Sequence, residues 1–418
     1  MSFRVSIAAA CLSLALVSPA TAQEELTSRT DVVSAMSQLE TRYSDYTEWQ
    51  IQISEIPAPP FEEAERAAFL ASEFRRIGLE EVQIDAAGNV TGLRPGVSDS
   101  ILVLSAHLDT VFPPGTDVTV KREGSRLVGP GIADDAAGLM ALMALASEIG
   151  RAGIETHRSL LFVGTVGEEG LGDLRGVKHL VREGPYRDRI AAFVSIDGTS
   201  PTRIVHQALG SRRYRVTITG PGGHSWGAFG RVNPAHALGG IIARFTAMPV
   251  PEDPKTTYNI GRIGGGTSVN SIPFEAWMEV DMRSTSQSSL ERIEQLFLGA
   301  VQQSVEAENL FRSASGTKLT VDPALIGDRP GGETSTDQAV YQAAAWATRA
   351  MGLEPDPAQS STDSNIPISM GIPAVTIGAG GSSENAHSLA EWFDPTGGHI
   401  GLQRALLMIL AYDQMAAQ

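Results

Sequence analysis

Residue types that bind metals or move protons recur in this sequence directly after apolar runs. His107 and Asp109 follow the run in "SILVLSAHLDTVF", and "GTVGEEGLGD" places Glu168 beside Glu169 after the run in "RSLLFVGTV". Adjacent carboxylates repel one another unless a positive charge compensates them. Imidazole nitrogen and carboxylate oxygen are ligands of Zn²⁺, so a metal ion is one such charge. We interpret these segments as parts of a metal site.

Three further segments carry the same residue types. "GPGIADDAAG" supplies Asp134 and Asp135, "VSIDGTS" supplies Asp197, and "GSSENAHSLAEWFD" supplies His387. Open α/β sheets bind ligands at the carboxyl ends of their strands, so we expect these side chains to converge there. Each also has an ordinary alternative, because aspartate caps helices or begins turns, and single histidines or loop glutamates are commonly structural or solvated.

Two histidines and several carboxylates suit two metal ions that share a bridging carboxylate. Such a pair activates a water between the ions and stabilises the oxyanion that its attack forms. A further carboxylate must take the proton of that water, so the adjacent glutamates can have different roles, one as ligand and one as general base. His107 and Asp109 point to one face of a strand. We expect the Asp109 carboxylate to accept a hydrogen bond from the ring nitrogen of His107 that does not bind metal.

The hydrophobic patterns of the segments that must position these residues change along the chain. Continuous apolar runs alternate with helical patterns up to about residue 209 and again from about 336, which predicts a largely parallel sheet covered by helices on both faces. Between them, strands with period-two alternation and two helical segments predict a smaller α+β domain with an antiparallel sheet. We therefore expect an α/β domain formed by 23–209 plus 323–418, interrupted by an inserted domain at 210–322.

The N-terminus and the overall charge narrow the class of protein. A basic residue, the apolar stretch "VSIAAACLSLALV" and "PATA" predict a signal peptide over residues 1–22, cleaved after Ala22, and hence a periplasmic or secreted protein. The stretch is too short for a comfortable span, so we expect no stable membrane insertion. The only cysteine, Cys11, lies in it, which leaves the mature chain without thiol chemistry. The net charge of −16 argues against nucleic acid as a partner.

The motifs "HLDTV", "GPGIADD", "GEEG" and "NAHS", in this order and spacing, resemble those of the co-catalytic dizinc metallopeptidases. That family includes peptidase T, bacterial glutamate carboxypeptidase, aminoacylase-1, the carnosine dipeptidases and succinyl-diaminopimelate desuccinylase. The resemblance extends over nearly the whole mature chain. It implies a zinc exopeptidase-like α/β fold with an inserted ferredoxin-like α+β domain that serves as lid and dimerisation domain. It also implies two Zn²⁺ ions as cofactors, with Co²⁺ or Mn²⁺ as substitutes.

The resemblance further implies a role for each residue of the site. Five residues bind the two ions: His107 and Asp197 on one, Glu169 and His387 on the other, and Asp134 between them. Glu168 matches the general base, and Asp109 matches the aspartate that orients His107. The chain departs from the family after the bridging aspartate, where many relatives carry lysine and this sequence has Ala136 and Ala137. A nearby positive charge is therefore missing.

In the inserted segment, the resemblance singles out three more residues. "GPGGHSWG" places His224 where relatives stabilise the oxyanion, often across a homodimer. "SVNSIP" and "VDMRS" place Asn270 and Arg283 where relatives bind the substrate backbone or a terminal carboxylate. On local chemistry alone, His224 and Arg283 would be interpreted as solvated surface side chains.

These residues and the resemblance together give a leading hypothesis about function. We expect an exported dizinc exopeptidase that releases amino acids from short peptides by attack of a metal-bridging hydroxide, with Glu168 as general base. Relatives with aspartate at the position of Asp197 tend to be di-, tri- or aminopeptidases, which places the chain nearer to peptidase T. The alternatives are an N-acyl amino acid amidohydrolase or carboxypeptidase of the same mechanism, and a non-catalytic binding protein that retains the fold.

Overall fold

A computed structural model describes residues 25–312 and 316–415 of the chain. The predicted signal peptide, its cleavage site after Ala22 and Cys11 lie outside these ranges. Within the two ranges, no helix is both long enough and apolar enough to cross a bilayer.

Strands and helices alternate along most of the chain. The strands are β1 (Glu80–Ile84), β2 (Val90–Arg94), β3 (Ser98–His107), β4 (Lys121–Glu123), β5 (Arg126–Val128), β6 (Arg158–Thr165), β7 (Ile190–Ile196), β8 (Arg203–Ala208), β9 (Gly210–Thr219), β10 (Gly223–His224), β11 (Thr256–Gly265), β12 (Ser271–Ile272), β13 (Glu275–Ser284), β14 (Thr320–Arg329), β15 (Gly332–Glu333), β16 (Asp356–Ser360), β17 (Ala374–Ile377), β18 (Ser382–Glu384) and β19 (Trp392–Asp394). The α-helices are α1 (Thr30–Thr41), α2 (Tyr43–Ser54), α3 (Ala64–Ile77), α4 (Ala136–Arg151), α5 (Arg175–Arg182), α6 (Pro234–Thr246), α7 (Gln287–Phe311), α8 (Ala339–Ala350), α9 (Asn365–Ser369) and α10 (His399–Met415).

The main sheet is mixed, with parallel strands at its centre. Its path runs β1-β2-β6-β3-β7-β17-β8-β15, and β16 pairs with β8 outside this path. The neighbours β6, β3, β7 and β17 are parallel, whereas the strands that flank this group join it in antiparallel fashion. The prediction of an α/β fold with a mostly parallel central sheet is confirmed. The parallel centre brings the carboxyl ends of four strands to one edge, where such sheets bind ligands.

Both faces of the central strands are buried because helices cover each of them. In β3, Leu102 and Leu104 belong to the core that contains α4, whereas Ile101 and Val103 belong to the core on the opposite face, which contains residues of α5. The central strands are consequently buried along most of their length. This explains why they read as continuous apolar runs rather than as alternating patterns.

Residues 210–329 form a second sheet with two helices, here called the inserted unit. Its elements follow the order β9-α6-β11-β13-α7-β14, and its four-stranded antiparallel sheet has the order β11-β13-β9-β14. This is a ferredoxin-like arrangement. Phe245 of α6 and Phe297 of α7 pack with ring centroids 5.0 Å apart in a core of their own. Buried and partly exposed residues alternate along β13, as expected where helices cover one face of a sheet.

The structure contains strands that the sequence patterns did not indicate. β1, β11 and β16 are largely exposed, so no apolar run marks them. β14 continues past residue 322, the predicted end of the inserted domain, and has Arg329 as its last residue. β3, in contrast, ends at His107 instead of continuing through Asp109.

Candidate metal centre

The parallel centre of the main sheet ends at a cavity of about 640 Å³. Its walls contain the six residues singled out as ligands or base: His107, Asp134, Glu168, Glu169, Asp197 and His387. His107 ends β3, the two glutamates follow β6, and Asp197 follows β7. The structure thus brings these six side chains together at one edge of the sheet.

The carboxylate of Asp134 lies between two imidazoles. Its Oδ1 is 3.0 Å from Nε2 of His107, and its Oδ2 is 3.1 Å from Nε2 of His387. The same Nε2 of His387 is 3.0 Å from Oε1 of Glu169. Ligand atoms of His107, Asp134 and Glu169 all lie within 4.8 Å of one another, close enough to hold a metal ion. With one oxygen toward each imidazole, Asp134 has the placement that a ligand shared by two ions requires.

The charges of this cluster shift the pKa values of its members. Hydrogen bonds to Asp134 and Glu169 raise the pKa of His387 to about 10. Burial alone would lower the pKa of His107, but the contacts with Asp109 and Asp134 outweigh it and raise that pKa well above its ordinary value. Burial, and next the negative charge of Asp134, raise the pKa of Asp197 to about 7. His387 is therefore a cation at pH 7 until a metal ion replaces its extra proton, and His107 holds its extra proton more tightly than a free imidazole does.

The Asp109 carboxylate holds the two glutamates rather than the histidine. Its Oδ1 accepts a hydrogen bond from the backbone N–H of Glu168 (3.0 Å), and its Oδ2 accepts one from Glu169 (2.8 Å). The Nδ1 atom of His107 is 3.7 Å from this carboxylate but 2.9 Å from the backbone carbonyl of Asp109. The expected hydrogen bond to the Asp109 side chain is replaced by one to the main-chain carbonyl of the same residue. A carbonyl only accepts, so the N–H at Nδ1 donates to it, and Nε2 faces Asp134.

The adjacent aspartates Asp134 and Asp135 have different partners. Asp135 is buried, and its Oδ1 accepts a hydrogen bond from the N–H of Gly138 in the first turn of α4 (3.1 Å). Its Oδ2 accepts one from the backbone N–H of His107 (3.0 Å). The helix-capping interpretation is therefore correct for Asp135, whereas Asp134 lines the cavity. The peptide bond between the two residues is cis.

Glu391 fixes the loop that carries Asp134, although no motif indicated this role. Its side chain is fully buried. It accepts hydrogen bonds from three backbone N–H groups, those of Gly131 (2.9 Å), Ala133 (2.9 Å) and Asp134 (3.0 Å). Because His387 belongs to the same C-terminal segment as Glu391, these bonds tie the two loops of the cluster to each other.

Glu168 lies beside the ligand cluster and has a cationic partner of its own. Its Oε1 is 3.1 Å from Nη1 of Arg329, and its backbone carbonyl accepts a hydrogen bond from Nη2 of the same arginine. Both side chains are buried. Burial raises the pKa of Glu168 well above its ordinary value, although the positive charge of Arg329 opposes the shift. Arg329 belongs to "LIGDRP", a segment without a recognisable motif, so sequence reasoning missed it.

The three residues singled out in the inserted unit occupy different places. Arg283 lines the cavity, and its Nε is 2.7 Å from Oδ2 of Asp281. His224 is exposed on β10 and does not line the cavity; its Nδ1 accepts hydrogen bonds from two backbone N–H groups of the following turn, both at 3.3 Å. Asn270 is also exposed and outside the cavity, with its Oδ1 2.5 Å from the Ser268 hydroxyl. Only Arg283 therefore joins the six residues of the main sheet.

Comparison with known proteins identifies the family. The sequence pattern of Peptidase family M20/M25/M40 matches residues 103–410. The chain belongs to this family. Among its relatives, the uncharacterized protein YqjE of Bacillus subtilis is 27% identical over 352 residues, which cover 79% of this chain and 88% of that protein.

Two solved structures of peptidases share the fold over most of the chain. A tripeptidase from Staphylococcus aureus has a TM-score of 0.73 and 23% identity, with 88% of this chain and 98% of that chain covered. Aminopeptidase PepT from Bacillus cereus has a TM-score of 0.69 and 22% identity, with 92% and 99% covered. At these identities the likeness shows the fold, and the family match identifies this chain as a metal-binding peptidase, a hydrolase of peptide or amide bonds.

The donor atoms of this M20 chain fit the metals of the predicted site. Imidazole Nε2 atoms and carboxylate oxygens are ligands that zinc accepts, and cobalt and manganese accept the same types. The cluster offers two imidazoles and the carboxylates of Asp134, Glu169 and Asp197, with one of these carboxylates already placed between the imidazoles. This set is sufficient for two ions that share one ligand.

Replacing Asp109 by asparagine tests how the glutamates are held. An amide offers one oxygen instead of two, and its NH₂ group would face a backbone N–H, so the segment of Glu168 and Glu169 loses its fixed position. We expect zinc affinity to fall about 10–100-fold, as is usual when a group that orients ligands is removed, in a competition titration against a chromophoric chelator. Asp117→Asn is the matched control, because Asp117 is exposed and also accepts a backbone N–H, that of Thr119. Unchanged zinc affinity in Asp109→Asn would contradict the conclusion that Asp109 positions the two glutamates for metal binding.

The raised pKa values of His107 and His387 predict that zinc displaces protons. At pH 7 we expect the metal-free protein to release about two to three protons when it binds zinc, because each ligating imidazole must lose one and Asp197, with a pKa of about 7, is partly protonated. Calorimetry in two buffers with different ionisation enthalpies measures this number. The release should fall by about one in His387→Gln and remain unchanged in His236→Gln, which alters a histidine outside the cavity. Binding without proton release would show that the imidazoles are not ligands.

Proposed function

We propose that this M20 chain is an exported, dizinc-dependent exopeptidase that acts on short peptides. The observation that carries the proposal is the different surroundings of the two adjacent glutamates at one cavity. Glu169 contacts His387 within the ligand cluster, whereas Glu168 lies beside that cluster and pairs with Arg329. Gly167, with a φ of 66°, allows the chain to turn immediately before them, so that both side chains reach the cavity.

The positions of these residues in the cavity and the family motifs support an assignment of ligands to each ion. His107 and Asp197 would hold one ion, and Glu169 and His387 the other, with Asp134 shared between them. When bound, two zinc ions supply a water of lowered pKa and polarise the carbonyl of the scissile bond. The protein residues must then position the peptide and move the proton of that water.

Glu168 is suited to move this proton. Its carboxylate lines the cavity without contacting either histidine ligand, so it remains available to a water or a substrate amine. Burial raises its pKa well above the ordinary value, toward the range in which a carboxylate takes and returns protons efficiently near neutral pH. Arg329 holds the same residue at its side chain and at its backbone carbonyl. We therefore assign to Glu168 the transfer of a proton from water to the leaving amine.

Arg283 is suited to bind the carboxylate end of the substrate. Its Nε is occupied by Asp281, which leaves the other guanidinium N–H groups for a ligand in the cavity. A cavity of about 640 Å³ has the size of sites that enclose a small ligand, which favours di- or tripeptides over a folded protein. An N-acyl amino acid also ends in a carboxylate, so Arg283 supports an N-acyl amino acid amidohydrolase or a carboxypeptidase equally well.

The exposed positions of His224 and Asn270 favour a homodimer through the inserted unit. Trp226, two residues after His224, is 88% exposed, and Val269, next to Asn270, is fully exposed. Apolar side chains of this size around polar groups are typical of an interaction surface. We propose that a second copy covers this surface and that His224 reaches the cavity of that copy, where it would bind the oxyanion.

Two adjacent substitutions separate the roles of the glutamates. In Glu168→Gln we expect kcat to fall about 10²–10⁴-fold, because the proton acceptor is lost, while zinc content stays at the wild-type level. In Glu169→Gln we expect weaker zinc binding, because a ligand oxygen is replaced by an amide. Steady-state kinetics at saturating zinc and metal analysis after dialysis measure the two effects. Equal loss of zinc in both variants would refute the division of roles.

A panel of substrates separates the exopeptidase from its alternatives. We expect hydrolysis of Ala-Ala-Ala in the presence of zinc, and we would follow the released alanine by amine derivatisation and chromatography. A C-terminally amidated tripeptide tests the need for a free carboxylate, and N-acetyl amino acids test the amidohydrolase. Cleavage of the acetylated substrates alone would replace the peptidase by the amidohydrolase. No cleavage of any of them with zinc, cobalt or manganese would favour a binding protein.

A further inference from the structure

The cavity walls carry more arginine than one substrate carboxylate requires. Four arginines line the cavity in addition to the ligand cluster: Arg203, Arg213, Arg283 and Arg329. The metal ions would compensate the negative charges of the ligand carboxylates. The positive charges of these four arginines, here called the arginine wall, must therefore be balanced by other groups. The number of protein carboxylates that pair with these arginines therefore indicates how many negative charges the substrate must bring.

Three of these arginines share two carboxylates of the protein. Arg329 pairs with Glu168 at 3.1 Å. Arg213 and Arg283 both pair with Asp281, through Nε atoms at 3.1 Å from Oδ1 and 2.7 Å from Oδ2. A further N–H of Arg213 donates to the backbone carbonyl of Gly170 (3.0 Å). One positive charge thus remains for this group of three, which is enough for the terminal carboxylate of a peptide.

Arg203 is different because it has no carboxylate partner in the described part of the chain. Its Nη2 donates to the backbone carbonyl of Gln359 (3.0 Å), and its remaining N–H groups are left for a ligand. The backbone is fixed on both sides: its N–H donates to the Ser200 hydroxyl (3.2 Å), and its carbonyl accepts from the fully buried Arg404 (3.0 Å). Arg203 is thus a cation in the cavity wall at the start of β8. Its backbone is fixed, and no carboxylate of the described residues pairs with its charge.

We infer that Arg203 binds a second carboxylate and that the preferred substrates are short peptides with an acidic residue. The inference rests on the proposed peptidase function and specifies its substrate class. The hydroxyl-bearing residues Thr199 and Ser200, which line the same wall, add neutral donors for a carboxylate. An acidic dipeptide carries a terminal carboxylate and a side-chain carboxylate. These two charges match the two positive charges that the arginine wall leaves unbalanced.

Isosteric pairs of dipeptides test this substrate class. We expect kcat/KM for Ala-Glu to exceed that for Ala-Gln, or kcat/KM for Glu-Ala to exceed that for Gln-Ala, by about 10–100-fold, the range for a hydrogen-bonded charged pair. The pair that shows the preference reports which side of the scissile bond Arg203 serves. Equal rates within both pairs would overturn the inference while leaving the peptidase function intact.

Variants of Arg203 then test the residue itself. Arg203→Gln should bring the Glu/Gln ratio close to one, and Arg203→Lys should retain a preference because it keeps the charge. The matched control is Arg182→Gln, which alters an exposed arginine at the end of α5 and outside the cavity and should keep the wild-type ratio. A wild-type ratio in Arg203→Gln would overturn the assignment of Arg203.

A measurement of binding without turnover distinguishes the inference about Arg203 from the proposal of peptidase activity. Calorimetric titration of zinc-loaded Glu168→Gln with each dipeptide measures the same preference when hydrolysis is blocked. If no dipeptide is cleaved by the wild type yet the acidic member of a pair binds about 10–100-fold more tightly, the peptidase proposal fails and the anionic ligand class stands. If both members bind equally, the inference about Arg203 fails whatever the activity.

Discussion

Repulsion among carboxylates is the physical constraint on which this site depends, because acidic side chains from several segments crowd at one edge of the sheet. The fold offsets it by giving buried carboxylates backbone N–H donors. Asp109 accepts from both glutamates of the "GEEG" segment, Asp135 from His107 and the first turn of α4, and Glu391 from the loop before Asp134. Each bond stabilises a charge and fixes a ligand loop at the same time. The side chains of the cluster are thereby held in place by bonds within the protein itself.

A buried cation, Arg66, stabilises the loops at the same edge of the sheet. Arg66 of α3 is fully buried and donates to the backbone carbonyls of Leu108 (2.8 Å), Ser54 and Ile56. Burial lowers its pKa to about 10, while the charges of Asp109 and Asp135 oppose the shift. Ala136 and Ala137, which follow Asp134 and Asp135, carry no charge. Arg66 therefore supplies a positive charge near these aspartates from a different part of the chain.

Sequence patterns could predict the parts of the site that are local. His107, Glu168 and Glu169 follow buried strands, and such strands appear in the sequence as apolar runs. Arg329 and Glu391 could not be predicted, because their importance arises from contacts with segments far away in the chain and their own surroundings resemble ordinary strand or loop. The exposed strands β1, β11 and β16 were missed for a related reason: without a buried face they leave no hydrophobic pattern.

The position of Arg329 at the end of β14 links two processes that are usually treated separately. β14 belongs to the sheet of the inserted unit, whereas Glu168 follows a strand of the main sheet. A rotation of one sheet against the other would separate the guanidinium from the carboxylate and so change the affinity of Glu168 for a proton. By thermodynamic reciprocity, protonation of Glu168 must then bias the angle between the sheets by the same free energy. Any such rotation and the protonation of Glu168 would therefore be coupled through this one ion pair.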